Sequence, residues 1–120
     1  MQIERFIKVR TTFIAAHCWP DAPDEVAFLR NQHRHIFNVI AIIPVGHNDR
    51  ELEYFMVLHN IDDAISRIIS PEWKGTESCE MIAEMIATRL SIIYDRDNIT
   101  VEVNEDGENG SIVKLSNEVN

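Results

Sequence analysis

Two cysteines in 120 residues are too few for a disulfide framework, so Cys18 and Cys79 read as free thiols of a reducing compartment. A basic surplus is missing as well. With 11 Lys and Arg against 20 Asp and Glu, the formal net charge is −9. No cationic surface is spare to displace counterions from a nucleic-acid backbone, which argues against nucleic acid as the main partner. No apolar run approaches the roughly 20 residues of a membrane-crossing helix, so no membrane partner is expected. The opening Met1-Gln2-Ile3-Glu4-Arg5-Phe6 lacks the charged region, apolar core and cleavage site of a secretory signal, and a cytoplasmic location is the default expectation. No internal repeat, low-complexity tract or linker interrupts the chain. A single domain over residues 1–120, large enough to bury its own core, is expected.

What is present is a clear succession of periodicities. Residues 3 to 17 alternate, with Ile3, Ile7, Val9, Phe13 and Ala15 on one parity, and predict a long half-buried strand ending at His17. Trp19-Pro20-Asp21-Ala22-Pro23-Asp24 reads as a loop, with Asp24 placed to start a short helical turn over residues 25–30. A second strand runs from about His33 to Val45, where Phe37, Val39, Ala41, Ile43 and Val45 share parity with both histidines. Spacings of three and four among Leu58, Ile61, Ile65 and Ile68 predict a helix from roughly Glu53 to Ile69. Ile82, Ile86, Leu90 and Ile93 mark a second helix, capped by Thr76 or Ser78, with Met81 and Met85 expected in its core face. Strands over 98–104 and 111–115 flank a hairpin at Asp106-Gly107-Glu108-Asn109-Gly110, and Ser116 to Asn120 is expected to fray. The order is β-β-α-α-β-β, an α+β domain with a four-stranded antiparallel sheet and two helices on one face.

His17, His33 and His35 carry the chemical signal. In an extended segment, residues two apart point to one face, so the H-x-H of His33-Arg34-His35 can converge on a point. A third imidazole, arriving from the end of another strand, completes the three-nitrogen set typical of zinc with an open fourth position. Against this, the two histidines could simply flank an exposed strand start around Arg34. His47 and His59 stand outside any motif and read as structural or exposed.

Three motifs together resemble those of the 6-pyruvoyl- and 6-carboxy-tetrahydropterin synthases, which share the T-fold. Phe13-Ile14-Ala15-Ala16-His17 is similar to that family's F-x-A-A-H, and His33-Arg34-His35-Ile36-Phe37 to its H-G-H followed by an aromatic. Val101-Glu102-Val103-Asn104-Glu105-Asp106 is similar to its V-x-V-x-E-T, and Ser78-Cys79-Glu80 to its T-S-E. The resemblance implies zinc on His17, His33 and His35. It also implies a pterin-, purine- or nucleotide-like small molecule anchored by Glu105, with Glu80 nearby as a second ligand contact. A homo-oligomer follows from the same resemblance, a hexamer among the forms it suggests, with sheets joined edge to edge into a barrel. Glu105 makes sense as an anchor in its own right: it ends an apolar row, and two carboxylate oxygens there accept paired N–H donors. Its plainer reading is a turn carboxylate, and that of Glu80 a first-turn helix residue.

The departures concern catalysis. The synthases place a catalytic cysteine four residues before H-G-H, where this chain has Leu29, and their leucine-aspartate-histidine segment is not reproduced. Cys18, Glu25 and Asp62 are the candidates for a relocated acid or base. The expectation is therefore a zinc-containing binding protein, with a divergent zinc-dependent lyase of the synthase type as the alternative.

Overall fold

The computed structural model describes residues 1–71 and 73–117. Strands β1 (Arg5–His17) and β2 (His33–Val45) pair antiparallel along their whole length, from Arg5 opposite Val45 to His17 opposite His33. The alternation read from the sequence is what buries them: Val9, Phe37, Val39, Ala41 and Ile43 face inward while their even-numbered neighbours on β1 face out. The connection between the strands carries a 3-10 helix, Asp24–Arg30. Its path is closed by Trp19 N–H on the Leu29 carbonyl at 2.7 Å and by the Arg30 guanidinium on the Ala22 carbonyl, also at 2.7 Å.

Helix α1 (Tyr54–Ile68) begins where the Glu53 carboxylate accepts the Met56 N–H at 2.8 Å. It buries Val57, Ile61, Ala64 and Ile65. Helix α2 (Cys79–Tyr94) is capped by Ser78, whose hydroxyl accepts from Met81 N–H. Its buried stripe is Cys79, Ile82, Ala83, Ile86, Ala87 and Leu90. The stripe differs from expectation at its margins. Small Ala83 and Ala87 sit under the sheet, so Met81 and Met85 turn outward and are 56% and 38% exposed. Ile93, in the last turn, is exposed as well.

Strands β3 (Thr100–Glu105) and β4 (Asn109–Lys114) complete a sheet of order β1-β2-β3-β4. β3 begins two residues later than its periodicity suggested; it ends one residue later and β4 begins two residues earlier because the turn is tighter than expected. Glu108 N–H reaches the Glu105 carbonyl at 2.9 Å, with Asp106 and Gly107 between them at φ +59° and +76°. Gly110 stands opposite Asn104, and a Cβ there would lie 2.4 Å from the Val103 carbonyl oxygen. Ser116 and Asn117 carry no regular structure, and the rest of the expected frayed tail lies outside the described residues.

Both helices cover one face of the sheet, α1 over β1 and α2 over β3 and β4. The fully buried Phe37, Ile43, Ile61, Ile82, Ile86 and Leu90 hold the layers together, each side chain worth about 1.5–3 kcal/mol on burial. On the other face a polar chain crosses three strands, from Arg10 to Asn38 to Asn104 to Glu102, at 2.8, 3.0 and 2.9 Å. Ile14, Ile36 and Ile112 lie exposed around it. Among the described residues no helix is long and apolar enough to cross a membrane.

Candidate metal centre

The strand register assembles the site. His17 closes β1 directly opposite His33, the first residue of β2, and His35 stands opposite Ala15 on the same face. Each imidazole offers one nitrogen to a common point, and the three ligand atoms lie within 4.8 Å of one another. Ring centroids are 4.6 Å (His17 to His33), 5.2 Å (His17 to His35) and 4.9 Å (His33 to His35) apart, with planes 70° to 88° to each other. Phe37 floors the cluster, edge-on to His17 at 5.2 Å and stacked on Phe13 at 5.0 Å.

Hydrogen bonds decide which nitrogen faces inward. His17 Nδ1 lies 3.1 Å from the Glu77 carbonyl oxygen, His33 Nδ1 2.8 Å from that of Asn31, and His35 Nδ1 2.6 Å from the Asp106 carboxylate. Carbonyl and carboxylate oxygens only accept, so each Nδ1 donates, and in a neutral ring Nε2 is then the nitrogen with the lone pair. The Glu77 carbonyl is brought there because the end of β1 is tied to the segment before α2. Cys18 N–H donates to the Gly75 carbonyl at 2.6 Å and Trp73 Nε1–H to that of Ala16 at 3.1 Å.

The inward atoms fit a cation. His17 Nε2 is buried without a hydrogen-bond partner. Glu105 Oε2 lies 3.0 Å from it, and 3.7 Å from His35 Nε2, yet makes no hydrogen bond in that geometry. A lone pair facing a carboxylate oxygen at that distance is repulsive unless a positive charge, a proton or a metal ion, stands between them. Three imidazole nitrogens with an adjacent carboxylate are a donor set that, with the rings neutral, suits a divalent transition metal.

The cluster opens into a cavity of about 530 Å³, bounded by His17, His33 and Glu105, by Trp19 and Leu29, and by the first turn of α2. Glu80 reaches this cavity and accepts from the Ser111 hydroxyl at 2.8 Å. That bond, helped by the backbone N–H at the helix start, holds the Glu80 carboxyl below its ordinary value. Cys79 also borders the cavity, but burial and then the Glu105 and Glu80 charges push its thiol up to about 12. It is a packing residue that stays protonated near neutral pH.

Of the three residues considered as a relocated acid or base, the fold brings one to the site. Half-buried Cys18 borders the cavity. Glu25 is exposed on the 3-10 helix, away from the cavity lining. Asp62, on α1, accepts from the Thr11 hydroxyl at 2.8 Å. Thr11 precedes His17 by six residues of extended chain, roughly 20 Å. His47 and His59 are exposed and apart from the cluster.

Sequence reasoning missed Asp106, which it read as a turn residue, and the carbonyls of Asn31 and Glu77. Backbone acceptors leave no trace in residue identity, and an aspartate beside glycine is ordinary turn chemistry. Fold and site together define an α+β protein with a three-histidine candidate metal centre on the wall of an acidic cavity. No protein-family model matches the chain, and no curated protein matches it.

Proposed function

We propose that this is a zinc-binding T-fold protein that captures a ring with a donor-rich edge, of the pterin, purine or nucleotide type, without the synthase reaction. The observation that carries the reading is the buried, unpartnered His17 Nε2, which faces the Glu105 carboxylate at 3.0 Å beside two further imidazoles. His17, His33 and His35 would hold the metal, and zinc when bound supplies a Lewis acid on the cavity wall. Glu105 lines the cavity beside the histidines, so a ring N–H pair bonded to its carboxylate would be held near the metal site. Glu80 adds acceptor capacity in the same cavity. The location of Leu29 on the cavity supports capture without turnover. The residue that aligns with the synthases' nucleophile faces the ligand space but carries no group that moves a proton. An acid or base placed there contributes typically 10²- to 10⁴-fold to rate.

The alternative, a divergent lyase, is favoured by one observation: Cys18 reaches the cavity next to His17. Assembly into a barrel belongs to the same proposal. The outer edges of β1 and β4 end the sheet, and edge-to-edge pairing with further copies would satisfy their backbone groups. Free thiols suit the cytoplasm as the compartment.

Native mass spectrometry of the purified protein, followed by identification of the small molecules it releases, tests the capture reading. A purine- or pterin-type ring at one per site is expected. Incubation with dihydroneopterin triphosphate is expected to leave the substrate intact. Zinc-dependent conversion lost in Cys18→Ser would overturn capture in favour of the lyase.

A further inference from the structure

The hairpin turn at Asp106 does more than reverse the chain. Asp106 is a non-glycine residue at φ +59°, a conformation that L side chains seldom adopt, although aspartate tolerates it better than most. Its N–H donates to the Ile36 carbonyl at 2.7 Å, continuing the β2–β3 ladder one step past Glu105. The Ile36 N–H donates instead to the carboxylate, at Oδ1, 2.8 Å away. The second oxygen, Oδ2, is thereby aimed at His35 Nδ1, at 2.6 Å. One carboxylate thus finishes the ladder with one oxygen and meets a candidate metal ligand with the other.

We infer that Asp106 is a positioning residue of the metal centre, which fixes His35 as the tautomer with the proton on Nδ1 and the Nε2 lone pair turned to the metal. The inference rests on the zinc reading above. A carboxylate on the remote nitrogen orients a metal-bound imidazole and raises its basicity. It is also the only one of the three Nδ1 contacts made to a side chain, those of His17 and His33 being to backbone carbonyls. Sequence change can therefore tune this contact alone.

Asp106→Asn separates positioning from turn structure. Asparagine is at ease in the left-handed region, so the turn is retained. With the amide oxygen on Ile36 N–H, the amide nitrogen donates toward His35 Nδ1 and favours the tautomer whose Nε2 carries hydrogen. With the amide reversed, its nitrogen opposes the Ile36 N–H. Neither orientation satisfies both neighbours while His35 keeps its proton on Nδ1.

Zinc affinity, read by competition with a chromophoric chelator, is expected to weaken 10- to 100-fold in Asp106→Asn while the metal-free melting temperature is nearly unchanged. Nitrogen-15 NMR of the metal-free chains, at a pH well above the ordinary imidazole value of about 6.5, is expected to report the Nδ1–H form of His35 in the wild type and a shift toward Nε2–H in the variant. A wild type in the Nε2–H form overturns the inference even if the variant fails to fold. Equal zinc affinity in a folded variant overturns it while leaving the metal reading intact. A wild type that takes up no zinc overturns the metal reading and this inference with it.

Discussion

Removing His33 and His35 together should abolish the response of the fold to zinc, and the size of that response follows from linkage. A ligand that binds only the folded chain stabilises it by RT ln(1 + [L]/Kd), about 4.1 kcal/mol when free metal is 1,000 times Kd. Unfolding entropy of about 2.1 cal/mol/K per residue gives about 0.25 kcal/mol/K for 120 residues. Dividing one by the other, zinc at that excess should raise the wild-type melting temperature by roughly 16 °C over the chelated protein. The double alanine variant also loses the Nδ1 bonds to Asn31 and Asp106. Both partners are exposed and can turn to water, and the removed rings also leave their edge contacts with His17 and Phe37, so the metal-free midpoint is expected to fall as well. Differential scanning calorimetry with zinc and with chelator measures all four midpoints, and elemental analysis gives the metal content, expected near one per chain in the wild type. A zinc shift of similar size in the double variant would refute the three-histidine site, as would a wild type indifferent to chelation.

Three further outcomes test other parts of the reading. Glu105→Gln replaces a double acceptor by a mixed donor and acceptor, so binding of a pterin or guanine ring should weaken tenfold or more, roughly 1–3 kcal/mol, with zinc content unchanged; calorimetric titration showing equal affinity would return Glu105 to a turn role. At pH 8 a thiol reagent should modify Cys18 and spare Cys79, whose thiol near 12 leaves a thiolate fraction on the order of 10⁻⁴; peptide mapping that finds Cys79 labelled first would contradict its burial. The Glu51 carboxyl is held below its ordinary 4.5, first by the Gly46 N–H and further by the Arg96 guanidinium. Its stabilising contribution is complete above that value and lost as pH falls through the lower folded value, so Glu51→Gln should flatten the acid limb of a denaturation series, and an unaltered limb would remove the linkage.

Most of the architecture was legible in local pattern. Parity alone put Phe37, Val39, Ala41 and Ile43 on the buried face of β2, because successive side chains of a strand alternate regardless of what covers them. The bounds of β2 agree with the sequence reading at both ends, and those of α1 within one residue. Where local pattern misled, a competing neighbour was responsible. Met81 and Met85 satisfy helical spacing but lost the inner face to alanines that let α2 lie close to the sheet. The hairpin contracted because Asp106 and Gly107 both accept the left-handed conformation, allowing Asn109 and Gly110 to join β4.

The sequence by itself determined the α+β class, the succession of elements, the placement of His33 and His35 on one face of β2 and that of His17 at the end of the inward parity of β1. These follow from residue parity and helical spacing, which act over a few positions of chain. Tertiary structure decided what those histidines can do. The bond that orients His17 comes from Glu77, 60 positions away, and the one that orients His35 from Asp106, 71 positions away. It also carried Cys18 to the cavity and left Asp62 beside Thr11. Hydrogen-bond direction and charge proximity depend on ångström-scale placement of groups remote in sequence, and only the packed sheet and helices provide it.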